Sequence, residues 1–281
     1  MTPQLRHPRS LAGAVILLWT SGSPLSASEL KPETIRAWNE YIAATEARIA
    51  SELSNAGPFL RLEISPRIDA GKAIRSGEVW VEKMETRNVE GKSLHIPDGR
   101  IHHWVGTVLI QNVELSQVLD WLRDCSNFET HFEEVERAQT LSAEGDEVRC
   151  FLRIRGKKVR AVRYHTDQSI RYRVLGADRA ASRTEATRIV QLRDAGSPTE
   201  SEMPEGNDSG YLWRWNSYWK FRAEGGNVTV ECETISLSRS VPKVFWWFVK
   251  PFLSSVPKEY LESTLARLRD AFHGAGGAKP R

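Results

Sequence analysis

Apolar residues recur along this chain with two periods, three to four residues near its ends and two through its middle. From 31 to 55, Ile35, Trp38, Ile42, Ile49 and Leu53 form one stripe, opened by Pro32 and closed by Asn55-Ala56-Gly57-Pro58. That spacing predicts an amphipathic helix that needs a surface to lie on. A weaker pattern follows, with a short strand over 77–85 and a loop ending at Gly99. Residues 101–111 alternate as a strand with His102, Trp104, Val108 and Ile110 on one face. Then 114–124 reads as a short helix through Leu115, Val118, Leu119 and Leu122, and 126–132 as a second helical turn. Strands are expected over 134–143, 147–156, 158–166, 169–175 and 182–193, several of them parted by turn signals such as Glu144-Gly145-Asp146.

After a polar loop from Ala195 to Gly210 comes GYLWRWNSYWKF, residues 210–221. Period two places Tyr211, Trp213, Trp215, Trp219 and Phe221 on one face and Arg214, Asn216, Lys220 and Arg222 on the other, a half-buried strand with a solvated back. Its partner is 227–238, where Glu231 and Glu233 read as solvated. A last helix opens around Pro257 with Leu261, Leu265, Leu268 and Phe272 on its buried face, and 274–281 is a tail. Antiparallel strands with one apolar face must cover it, and the last helix is the long element available inside this region.

This order resembles the START-like superfamily, also called SRPBCC or helix-grip proteins, which includes polyketide cyclases and ubiquinone-binding START proteins. The residues that carry the resemblance are VGTVLIQNVELSQVLDWLRDCSNF (105–128), and YLWRWNSYWKF through VECETISLSRSVP to SVPKEYLESTLARLRDAF (211–272). The resemblance implies an α+β helix-grip fold over 98–273, an antiparallel β-sheet wrapped around a long C-terminal helix, with 29–97 as an N-terminal helical extension. It implies a cavity between sheet and helix for a hydrophobic ligand, commonly a lipid, sterol, quinone or polyketide. It implies no reaction, because one fold hosts binders and enzymes.

Three features of composition change this picture. Residues 1–28 carry Arg6 and Arg9, the apolar run 11–19 and a Ser/Gly/Pro stretch, which reads as an export signal cut before Glu29, with Ala27 as the neighbouring option and an uncleaved anchor as the alternative. The expected location is periplasmic or secreted. The formal charge of +3 falls to +1 without that segment, so no global footprint for nucleic acid exists. The three cysteines, Cys125, Cys150 and Cys232, are odd in number and widely spaced, which argues against a disulfide framework. Cys150 and Cys232 lie on apolar strand faces and read as small buried hydrophobes.

The candidate chemistry is that of a binding site. Trp213, Trp215 and Trp219 line the expected cavity or pack as a solid core against the last helix, and several indoles on one strand each need a partner for the N–H. Ser217 interrupts that face with a polar group. Arg188 shares a face with Thr184, Ala186, Val190 and Leu192, where its fork suits the anionic or polar end of an amphipath, an internal acid or the rim. His102 and Trp104 sit together on the first strand, and a structural role for His102 competes with ligand contact. His103, His131 and His165 fall in no catalytic spacing, and the dispersed carboxylates suggest neither metal nor cofactor. Four aromatics at 245–248, including Trp246 and Trp247, lie between Lys243 and Lys250, as in a transient membrane contact or a lid. A binder of a hydrophobic small molecule is therefore the first reading. A cyclase-like enzyme in the same cavity is the alternative, and an interaction protein with a filled core the third.

Overall fold

The computed structural model describes residues 28–54, 57–88, 90–156, 162–240 and 246–273, and side chains in the last segment from 256 onward. The expected export signal (save Ser28) and the tail lie outside the described residues, as do the side chains of Trp246 and Trp247. Along the chain run β1 (Ser28–Glu29), α1 (Pro32–Ser54), α2 (Arg61–Ile64), α3 (Ile68–Arg75), β2 (Trp80–Lys83), β3 (Gly99–Ile110), α4 (Leu115–Arg123), α5 (Ser126–His131) and β4 (Val135–Glu144). They are followed by β5 (Glu147–Arg155), β6 (Arg163–Val174), β7 (Arg179–Arg193), β8 (Ser201–Glu202), β9 (Asn207–Asp208), β10 (Arg214–Glu224), β11 (Asn227–Arg239) and α6 (Trp246–His273). No described helix is long and apolar enough to cross a membrane.

The main sheet is antiparallel in the order β2-β3-β11-β10-β7-β6-β5-β4, with β8 attached to the end of β7. Hairpin turns join β4 to β5 and β10 to β11, where Gly145, Gly225 and Gly226 take positive φ. Helix α6 lies across one face, called here the inner face. Leu261, Leu265 and Leu268 of α6 are buried with Val108, Ile110, Phe221, Val228 and Val230 of the sheet, and α4 closes the end of this core with Val118 and Leu122. Contact is close where β3 carries Gly106, since a Cβ there would sit 2.6 Å from Leu265 Cδ1.

Helix α1 covers the opposite, outer face. Trp38, Tyr41, Ile42 and Ile49 pack against Ile235, Leu237 and Tyr218, each large apolar side chain adding about 2 kcal/mol of burial. The sheet is thus buried on both sides where α1 lies over β3, β11 and β10. This corrects the expectation of a solvated back: Lys220, Glu231 and Glu233 are 3%, 1% and 3% exposed. Charges on α1 meet charges on the strands, a pairing that alternation along one strand does not reveal.

Three further expectations change. The segments 158–166 and 169–175 belong to one strand, β6, as far as it is described. Helix α6 begins at Trp246, with Pro251 and Pro257 inside it, so neither proline opens it; each withdraws one backbone donor without ending the helix. Cys125 and Cys150 form a disulfide, with Cα atoms 6.1 Å apart, because α5 folds back on β4 and brings Cys125 beside β5. Cys232 is free and buried.

Candidate ligand site on the inner face

Strand register assigns each residue of the sheet to a face, since directly paired residues point the same way. One row across the sheet runs Trp104–Thr234–Ser217–Thr184–Ile170. The next row, one step further from the apolar end, contains His102, Ser236 and Trp215 on one side and Ala186, Gln168 and Cys150 on the other. Both rows are on the side of α6, because their flanking positions Gly106 and Val108 meet the helix. Five of the residues singled out in the sequence, His102, Trp104, Trp215, Ser217 and Trp219, therefore share the inner face.

Their chemistry is that of a polar aromatic wall. Trp104, Trp215 and Trp219 are only partly buried. Trp215 Nε1 donates to Thr234 Oγ1 at 3.1 Å and Trp219 Nε1 to Ser217 Oγ at 3.3 Å, so each of these indoles has the partner that burial demands. The Trp219 ring lies parallel to Phe221, 6.3 Å away between centroids. His102 Nε2 is 2.9 Å from Ser238 Oγ. Burial, assisted by Arg100 and Lys83, pushes its imidazole down to about 4, so at neutral pH it is an uncharged donor and acceptor.

Gln168, 3% exposed, was missed in the sequence. Its Nε2 donates to Thr166 Oγ1 at 3.0 Å, and that hydroxyl in turn points to the Leu152 carbonyl at 3.5 Å. Its Oε1 has no partner among the described residues. A polar residue in a strand whose other inward members are apolar or hydroxylic was the available signal.

Two singled-out residues leave the wall. A β-bulge at Asp167/Gln168 shifts the β6–β7 register, so that Arg188 pairs with Asp167 and Ile189 with Thr166. The extra residue turns Arg188 to the outer face, where it ion-pairs with Glu202. It cannot anchor a ligand between the sheet and α6. Trp213 precedes β10, so strand alternation does not govern it. It packs in the α1 cluster and donates through Nε1 to Asp208 Oδ1 at 3.2 Å.

On the outer face, Lys220 Nζ donates to Glu52 Oε2 (2.8 Å), the Phe59 carbonyl (3.0 Å) and Glu231 Oε1 (3.1 Å). Glu233 Oε1 meets His103 Nε2 at 2.6 Å and also pairs with Arg48. Tyr41 OH lies 2.8 Å from His103 Nδ1 and accepts the Thr86 N–H at 2.7 Å. Every one of these groups finds a protein partner, which makes the cluster a fastening for α1.

An antiparallel sheet whose first long strand lies beside its last, with a C-terminal helix laid across the face between them, defines the architecture. The fold is a helix grip. Solved structures similar to it include a STAR-related lipid transfer protein from Xanthomonas axonopodis, at 17% identity over 64% of this chain and 96% of that one with a TM-score of 0.44. Another is the Zhui aromatase/cyclase from a Streptomyces species, at 11% identity over 64% and 100% with a TM-score of 0.45. Human STARD10 aligns at 10% identity over 80% and 87%, with a TM-score of 0.43. No family model and no curated protein matches the sequence. In this arrangement the two rows of hydroxyls and tryptophans lie beside the apolar core formed with Leu261, Leu265 and Leu268.

Proposed function

We propose that the protein binds a hydrophobic or amphipathic small molecule between the sheet and α6, and carries it outside the cytoplasm. The observation that carries this reading is the inner wall itself. A solid core has no use for adjacent rows that set partly accessible indoles beside hydroxyls, whereas a site for an amphipath uses aromatic surface for contact and a few polar groups for orientation. Apolar residues at the α4 end suit the tail of such a molecule, and the hydroxyl rows suit its head. The lipid-transfer function named for the Xanthomonas protein is compatible with this arrangement. Export is supported by the charged and apolar start of the chain and by the Cys125–Cys150 disulfide, a bond that persists in oxidising compartments.

The test is native mass spectrometry of the mature chain, residues 29–281, followed by solvent extraction of whatever co-purifies. A stoichiometric lipid or quinone is expected in the wild type and its loss in Trp215→Glu, with circular dichroism verifying that the variant folds. A clean apo mass that no lipid or polyketide panel shifts would remove the reading in favour of a filled core.

A further inference from the structure

We infer that the ligand presents a neutral hydrogen-bond donor, a hydroxyl or an amide N–H, to Gln168, and that anionic lipids are excluded from this part of the site. The inference rests on the binding reading above and adds the chemistry of the ligand's polar end. Gln168 lies on the same inward row of the sheet as Trp215 and is almost fully buried. The orientation of its amide follows from its neighbours: Thr166 Oγ1 uses its proton toward the Leu152 carbonyl, which leaves it to accept from Nε2 and leaves Oε1 facing the interior without a partner. A buried carbonyl oxygen with no donor is costly, and a ligand that supplies the donor recovers that cost on binding.

A carboxylate or phosphate cannot do so. Ionised, it has only acceptor oxygens and would face Oε1 acceptor to acceptor. The cation that extends these rows, Lys83 of the edge strand β2, pairs with Trp104 and is exposed, with β3, β11, β10 and β7 between it and Gln168. Arg188 is turned by the bulge to the outer face, where Asp167 also points, and His102 is held uncharged. Arg100, one step outward from His102, is likewise across the sheet from Gln168. The site thus discriminates at Gln168 by what the unsatisfied Oε1 requires.

Three probes of equal chain length separate the possibilities: dodecan-1-ol, its methyl ether, which keeps the oxygen but lacks the donor, and dodecanoate. Binding to the mature wild-type chain is read by native mass spectrometry and by tryptophan fluorescence. The alcohol is expected to bind about tenfold or more tightly than the ether, with dodecanoate weaker than the alcohol, and Gln168→Leu is expected to make alcohol and ether equal. Equal affinity of wild type for alcohol and ether, or preference for dodecanoate, would overturn the inference while leaving the binding reading in place. Failure of all three, with no co-purifying lipid, would remove both. The wild-type comparison decides the matter even if Gln168→Leu does not fold. A co-purified molecule without hydroxyl or N–H would also overturn it.

Discussion

His102 shows how one buried ring reports on the site. Its folded value of about 4 lies below the ordinary 6.5 because burial disfavours the imidazolium and Arg100 and Lys83 repel it. The unfolded chain therefore binds more protons between these values, and the stability due to the neutral ring is complete above pH 6.5 and lost as pH falls toward 4. The shift corresponds to about 3 kcal/mol. Equilibrium denaturation of wild type and His102→Gln across this range is expected to show a slope in the wild type that the variant lacks; parallel curves would mean that the ring is solvated. The same scale explains why Arg188 was misplaced. Its parity within β7 was read from one end of the strand, and the bulge opposite it inverts parity from that point on. No residue in TEATRIVQL announces that the extra residue sits there.

At the scale of elements, the fastening between α1 and the outer face is apolar through Trp38, Tyr41, Ile42 and Ile49 and ionic through Glu46, Arg48 and Glu52 of its second half. Burial opposes the charge on Lys220, yet Glu231 and Glu52 hold its ammonium above the ordinary value. Burial likewise opposes the charge on Glu233, and His103 and Arg48 hold its carboxyl below the ordinary range. The contribution of Glu233 is thus present at neutral pH and lost as pH falls through that depressed value. Lys220→Met would leave the buried Glu231 carboxylate without its cation, held by the Arg61 N–H, and is expected to cost about 3–5 kcal/mol, read as a fall in Tm. The double variant Lys220→Met/Glu231→Leu is expected to recover much of that loss, because the uncompensated charge is gone. A Lys220→Met protein as stable as wild type would show that the pair is solvated. The helix itself was legible, since Ile35, Trp38, Ile42, Ile49 and Leu53 describe its stripe; its partner surface was not, since Lys220, Glu231 and Glu233 looked like residues that face water.

For the whole molecule, the disulfide links the start of α5 to β5 across 25 residues of chain. By loop closure it contributes about 3 kcal/mol. Thiol titration in denaturant without reductant is expected to find one reactive cysteine of the three, Cys232, and reduction is expected to lower Tm. Three titratable thiols in protein purified from an oxidising compartment would overturn the pairing. Both faces of the sheet depend on segments that are distant in sequence, α1 on one side and α6 on the other. This burial of both faces leaves the inner wall as a distinct aromatic and hydroxylic surface within a largely covered sheet.

The order of the long elements, α1, β3, α4, β10, β11 and α6, was determined by the sequence alone, as was the shared face of His102, Trp104, Trp215, Ser217 and Trp219; α2, α3 and the unity of β6 were not. Backbone geometry makes that possible: in a regular strand alternation is imposed locally, and a helix stripe needs only its own turns. Tertiary structure alone decided the rest. Whether a polar face meets water or a charged helix depends on a partner far along the chain, so the burial of Glu231 and Glu233 was invisible. The bulge that turns Arg188 outward is a property of two strands together, and the pairing of Cys125 with Cys150 is a property of a chain reversal. The unsatisfied oxygen of Gln168, on which the ligand inference rests, exists only once every neighbour that might have satisfied it has been placed.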